Sequence, residues 1–320
     1  MKDVDLDKGE LPAVKTLAVL RDPKEDIFKF QIQQPKLPNE SLTKREFLKK
    51  TATLFDPLGL LAPYTVRARI FLQEMWTSGV DWDEDVPVDI ANKAWSWFQE
   101  LEGLPEIRIP RCLRLDLDIQ SIELHSFVDA SELAYGAAVY QRTEYENGAV
   151  SCRLIPAKLH VAPLPAISIP RLELMAAVLG LNLTMSITSS LDIPIKEVTF
   201  WSESLNVLYW VRGSSRKFKP FVSNRVGEIQ SNTNPEQWRY LPTLDNPADM
   251  TTRGETPTAL AATRKWWEGP EYILSKPGKW PENKVIITKN RDNVPEETKF
   301  EIRKQYQNAF VSRGNVSFIF

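Results

Sequence analysis

Apolar and polar positions alternate only weakly over residues 1–40. LAVL (17–20) and IFKFQI (27–32) read as two short strands joined at the turn-forming Asp22-Pro23, too little for an independent domain. From 41 to 103 the apolar period becomes helical. Thr43 with Glu46 three residues on makes a capping box, and Phe47, Thr51, Leu54 and Leu58 follow at helical spacing until Asp56-Pro57 interrupts. Pro63 can open a second helix carrying Val66, Ile70 and Phe71, closed by Gly79. A third carries Ile90, Ala94, Trp97, Phe98 and Leu101 and ends at Gly103. The acidic DWDEDVPVD between these two reads as a solvated linker.

After Pro110 the pattern changes. IELHSFVD (122–129), AYGAAVYQ (134–141) and AVSCRLIPAKL (149–159) read as three strands linked by short turns, an antiparallel meander. A helix from Pro170 to about Leu191 is apolar nearly all round, so it should be buried on most sides. VTFW (198–201), helices at 204–213 and 221–230, the strand QWRYLP (237–242) and a helix opened by Asn246-Pro247 complete the order β-β-β-α-β-α-α-β-α. That order predicts an α/β fold: a mixed five-stranded sheet with helices on both faces, preceded by a small helical subdomain. RKWWEGPEYIL (264–274) reads as a docking segment. Beyond Pro277 the chain is rich in Lys, Asn and Glu without an apolar period and is expected to be loosely held.

Composition narrows the chemistry. With 42% hydrophobic and 26% charged residues the chain is an ordinary globular one, and its 320 residues leave room for about two domains. Two cysteines, Cys112 and Cys152, and two histidines, His125 and His160, exclude a disulfide scaffold, a three-histidine zinc centre and a paired Cys/His finger. The charged start MKDVDLDKGE has no apolar stretch behind it, so no signal peptide is expected. Nor is a membrane span or a membrane partner, which implies an intracellular setting, cytoplasmic or nuclear. The net charge of −2 does not advertise nucleic-acid binding. One segment does: between Ser204 and Gly227 there is no acid, and Arg212, Arg216, Lys217, Lys219 and Arg225 interleave with Tyr209, Trp210, Phe218 and Phe221. This fits a surface that tracks phosphates. It equally fits a solvated helix–loop–helix whose aromatics are core.

Four acids stand at element ends or on a packed face, each with an ordinary explanation. Asp129 could form an Asx-type turn after the first strand. Glu173 shares a helix face with Ala176, Ala177, Gly180 and Thr184 and could pair with Arg171. Glu203 could serve the helix dipole behind a Ser202 cap, and Asp249 could complete the helix start Asn246-Pro247-Ala248-Asp249. Together they suggest more. In this fold order the end of the first strand, the start of the first helix and the end of the fourth strand converge at one sheet edge. Clustered carboxylates repel unless cations join them, and oxygen-only ligands suit Mg²⁺ or Mn²⁺. Two such ions about 4 Å apart serve phosphodiester cleavage.

FVDASELAYGAAVY, IPRLELMAAVL, FWSESLNVLYWV, FVSNRVGEIQ and NPADMTTRG resemble the ribonuclease H region of BEL/Pao-type retrotransposon polyproteins. TKREFLKKTATLFDPLGLLAPYTVRARIFLQEMW resembles the thumb and connection segment that follows the reverse-transcriptase palm there. The resemblance implies four regions: a short β remnant of the palm/thumb junction (1–40), a helical thumb/connection (41–112), a ribonuclease H-like domain (113–256) and a docking segment with tail (257–320). It implies two-metal cleavage of the RNA strand of an RNA–DNA hybrid, with Asp129, Glu173, Glu203 and Asp249 as catalytic and metal-ligating acids, two Mg²⁺ or Mn²⁺ ions as cofactors, and the basic segment against the hybrid. An A-form-like hybrid is read by shape and 2′-hydroxyls rather than by base sequence. The chain departs from the family at Trp201-Ser202-Glu203-Ser204, where members usually read Trp-Thr-Asp-Ser. The extra methylene would weaken a site in which a misplacement of about 1 Å costs on the order of a hundredfold. The alternative is therefore a catalytically inactive nucleic-acid-binding remnant. No Tyr-x-Asp-Asp or Asp-Ser/Thr-Gly motif occurs, so neither polymerase nor aspartic peptidase chemistry is expected, and a palm would have to be encoded elsewhere. No histidine follows His160 to aid product release. An integrase, the third reading, would place its glutamate on a later helix than Glu173.

Overall fold

A computed structural model describes residues 14–16, 19–30, 42–191, 194–282 and 296–304. The predicted strand ends at 17–18 and 31–32, and the tail segments 283–295 and 305–320, lie outside the described residues. β1 (Val14–Thr16), β2 (Val19–Asp22) and β3 (Ile27–Phe30) form an antiparallel ribbon. The Asp22 carboxylate accepts the Lys24 and Glu25 amides in its turn. Three helices follow: α1 (Lys44–Thr51), α2 (Ala62–Thr77) and α3 (Val88–Gln99). After them β4 (Arg108–Pro110) pairs with β3, a strand too short to show a period in sequence.

The Thr43 hydroxyl caps α1 by accepting the Glu46 amide at 3.2 Å. α1 ends at Thr51, earlier than its apolar spacing predicts. The Asp56 carboxylate instead accepts the Leu60 and Leu61 amides at 2.9 and 2.7 Å and turns the chain into α2. Trp97 of α3 stacks on Tyr64 of α2 with centroids 4.5 Å apart, and each bonds the other's carbonyl.

The larger sheet comprises β5 (Ile119–Ala130), β6 (Ala134–Tyr145), β7 (Val150–Val161), β8 (Glu197–Ser202) and β9 (Trp238–Tyr240), in the order β7-β6-β5-β8-β9. β5, β6 and β7 are antiparallel neighbours, whereas β8 runs parallel to β5 and β9 parallel to β8. The predicted mixed α/β sheet is therefore the observed one. α4 (Ile169–Ser190), α5 (Leu205–Arg212) and α6 (Pro220–Asn232) bury Leu172, Leu181, Val207, Trp210, Val222 and Val226 against one face. Gly180 makes this approach possible, since a Cβ there would stand 2.5 Å from Val128 Cγ1. Among the described residues α4 is the helix long and apolar enough to cross a bilayer by length and composition, but here its apolar sides pack on the sheet.

The opposite face receives α2 and a run of short helices, α7 (Met250–Arg253), α8 (Pro257–Ala262) and α9 (Arg264–Glu268). Trp266 is fully buried; its indole N–H donates to the Leu60 carbonyl and its own carbonyl accepts the Tyr140 hydroxyl. Part of the tail has regular structure: α10 (Glu296–Phe300) precedes Ile302, which is buried and bridges Phe218 in an isolated antiparallel pair. A single anchoring apolar residue leaves no period to read.

Candidate metal centre

Asp129 is the penultimate residue of β5, opposite Gly136. A side chain at Gly136 would collide with Thr251 Oγ1 at 2.1 Å, so the glycine lets α7 close over the strand end. Thr252 of α7 donates its hydroxyl to Asp129 Oδ2 at 2.5 Å. The turn after Asp129 belongs to Ser131, whose hydroxyl accepts the Leu133 and Ala134 amides, so Asp129 is not the Asx-turn residue.

Glu173 lies in the first turns of α4, among apolar neighbours, and is buried. Its predicted partner Arg171 turns to Glu301 instead, and among the described residues Glu173 has no ion pair. Glu203 stands between the end of β8 and the cap of α5. Ser202 Oγ accepts the Ser204 amide, and Ser204 Oγ accepts the Val207 amide at the cap. The helix is thus capped by Ser204, and Glu203 precedes it rather than occupying its first turn.

One carboxylate oxygen each from Asp129, Glu173 and Glu203 lies within 4.8 Å of the other two. Asp129 Oδ1, Glu173 Oε2 and Glu203 Oε2 are buried without a hydrogen-bond partner. Burial pushes the Asp129 carboxyl up to about 8; the Thr252 hydroxyl opposes this, while Glu203 and Asp249 add to it. Burial also holds Glu173 well above the usual carboxylate value, with repulsion from Asp129 and Glu203 behind it. A buried carboxylate with an idle oxygen is costly, and three facing one another are costlier still. The donor set is hard oxygen only, the chemistry of a divalent cation such as Mg²⁺ or Mn²⁺. The residues present fit such an ion.

Asp249 stands beside this group rather than within it. It ends the turn Pro247–Asp249, and its Oδ1 pairs with Arg253 Nε at 2.6 Å. Burial raises its carboxyl, Arg253 offsets part of that, and Glu203 adds repulsion. Asn246 caps the turn through the Ala248 amide and donates to the Val128 carbonyl at 3.1 Å, tying the turn to β5 beside Asp129. Sequence reasoning read Asn246 only as a helix start and did not single out Thr252, so the contacts both make at the strand end were missed. Neither lies on a periodic face, and only their nearness in sequence to Asp249 marked them.

The basic segment divides. Arg216, Lys217 and Lys219 are exposed. Arg212 is half-buried and donates to the Trp238 carbonyl at 2.6 Å, and Arg225 lies 3.6 Å over the Phe221 ring. Trp210 and Phe218 are buried against each other as core, so they do not form a stacking surface for bases.

A family described as the Pao retrotransposon-like RNaseH-like domain matches residues 43–204. The chain belongs to that family. The matched stretch of this Pao domain contains Asp129, Glu173 and Glu203; Asp249 lies beyond it. Among solved structures it is similar to the N-terminal RNase H domain of a Mycobacterium tuberculosis protein fused to maltose-binding protein. That pair shares 12% identity with a TM-score of 0.28, covering 44% of this chain and 97% of that one. It is also similar to LC11 RNase H1 in complex with an RNA/DNA hybrid (16%, 0.26, covering 44% and 99%). A third is RNase H1 of the halophilic archaeon Halobacterium salinarum (13%, 0.24, covering 40% and 90%). No curated protein matches this Pao domain.

Proposed function

We propose that this chain is a divalent-metal-dependent ribonuclease H-type nuclease that cuts the RNA strand of RNA–DNA hybrids. The observation that carries the reading is the meeting of Asp129, Glu173 and Glu203 with buried, unpartnered oxygens. These three would hold two Mg²⁺ or Mn²⁺ ions, with Asp249 at the rim as the fourth acid. When bound, the ions would supply an activated water and neutralise the leaving oxygen.

The chain's own residues do the rest. Thr252 fixes one oxygen of Asp129 and leaves the other free to bind. The Ser202 and Ser204 bonds fix the backbone that carries Glu203. Without a cation the cluster keeps protons on Asp129 and Glu173, which must leave before the carboxylates bind an ion. Arg216, Lys217 and Lys219 would meet the hybrid's phosphates, giving an affinity that falls as salt rises. Arg212 and Arg225, engaged within the fold, are left out of that set. The helical segment 41–112 would correspond to thumb and connection.

The test is cleavage of a labelled RNA–DNA hybrid, with metal binding followed by calorimetry. Wild type should cleave in Mg²⁺ or Mn²⁺, and Asp129→Asn should lose both cleavage and tight metal binding. Glu203 already brings an oxygen into the cluster, so Glu203→Asp should change the rate by less than about tenfold. Hybrid binding without cleavage by wild type and by Glu203→Asp would establish the inactive binding remnant instead.

A further inference from the structure

We propose that residues 296–304 are an internal strap seated on the surface that receives the nucleic-acid strand, so that hybrid and strap compete for it. This inference rests on the nuclease reading and adds a regulatory contact to it.

The strap lies across the entrances of the two helices that carry or follow the site acids. Glu301 Oε1 accepts Arg171 Nε at 2.8 Å, two residues before Glu173. Glu297 Oε2 accepts Asn206 Nδ2 at 3.2 Å, three residues after Glu203, and the Thr298 hydroxyl donates to the same Asn206. The backbone then pairs with the basic segment. The Lys219 amide donates to the Glu301 carbonyl at 2.7 Å and the Arg303 amide to the Lys217 carbonyl at 2.9 Å. Two carboxylates thus occupy donors on the first turns of α4 and α5, next to the basic segment that the nuclease reading sets against the phosphates.

The docking is also of a kind that can be released. Ile302 against Phe218 is its apolar anchor, whereas Phe300, Glu297, Lys299 and Lys304 are exposed. Glu301 is buried, yet its Oε2 has no hydrogen-bond partner. A polyanion offers Arg171 and the exposed Lys217 and Lys219 ammonium groups several phosphates in place of the single Glu301 carboxylate, so it should displace the strap.

The test uses the whole 320-residue chain carrying Asp129→Asn, which keeps the hybrid intact, with and without Ile302→Ala. That change leaves the charge untouched and removes the anchor. A Glu297→Gln/Glu301→Gln pair serves as the second variant. Either should tighten the apparent Kd for a short labelled RNA–DNA hybrid by about tenfold, as expected if the strap is closed about nine-tenths of the time. Adding hybrid to the unaltered strap should speed hydrogen exchange at the Lys219 and Arg303 amides. If hybrid binds with the same affinity in all three proteins and both amides stay protected, the strap is a fixed part of the fold and the nuclease reading stands without it. If none of them binds hybrid, the nucleic-acid reading fails and the strap falls with it.

Discussion

Two buried acids sit six residues apart on β5, and the chain treats them in opposite ways. Glu123, near the start of the strand, faces Arg142 Nη1 at 3.1 Å, with His125 and Lys196 each at 3.7 Å. Its carboxyl lies below the usual value because His125, then Arg142 and Lys196, outweigh the burial. Arg142 also donates to the Ile273 carbonyl, and the Trp201 indole N–H donates to His125 Nδ1, so this acid anchors a network that binds the C-terminal segment to the sheet. Asp129, at the far end, has one hydroxyl donor and two acidic neighbours. The first acid is supplied with cations from within the chain; the second has no ion pair among the described residues. Burial alone therefore says little about the role of an acid, and the charge around it says most.

Removing the internal cation should have the largest effect. Arg142→Met removes the nearest and most buried partner of Glu123, leaving Lys196 and His125 at 3.7 Å, and should lower the unfolding free energy by about 3 kcal/mol in denaturant titrations. An unchanged midpoint would erase the contrast. At the other end the sign should reverse: without metal, Asp129→Asn should stabilise the fold by about 1–2 kcal/mol, because it relieves repulsion and desolvation. A loss of stability there would mean that Asp129 is structural, like Glu123.

The pH dependence sharpens the same contrast. Asp129 holds its proton more tightly folded than unfolded, so its metal-free contribution to stability should fall as pH rises from about 4 through about 8, and Glu173, also raised, acts in the same direction. Glu123 is held below its ordinary 4.5, so its contribution is present above that value and fades as pH drops through its folded one. Mn²⁺ should therefore raise Tm more at about pH 8 than at about pH 5, and Asp129→Asn should flatten the difference. The smallest effect belongs to the surface. Arg216→Ala with Lys217→Ala should reduce the salt slope of hybrid binding by about 2 and leave stability unchanged.

Much of this was legible beforehand. The three apolar runs linked by short turns became β5, β6 and β7, the small-residue face containing Gly180 became the contact of α4 with the sheet, and the capping signals at Thr43 and Asn246 hold in the structure. Local reasoning failed where a residue's partner lies far along the chain. Arg171 stands beside Glu173 in sequence yet bonds Glu301, and Arg212 and Arg225 look like free cations yet are engaged at the ends and faces of helices. The aromatics of the basic segment were ambiguous for the same reason, since a tryptophan that stacks on a base and one that fills a core share the same sequence pattern.

The sequence alone determined the order of elements and the acids they carry, because apolar period, caps and turns act over a few residues. Only the tertiary structure decided that three of those acids would face one another with no ion pair among the described residues while Glu123, on the same strand as Asp129, would be given Arg142. Electrostatic energy depends on distance through space and on access to water, and neither is fixed until the sheet has been packed from both sides.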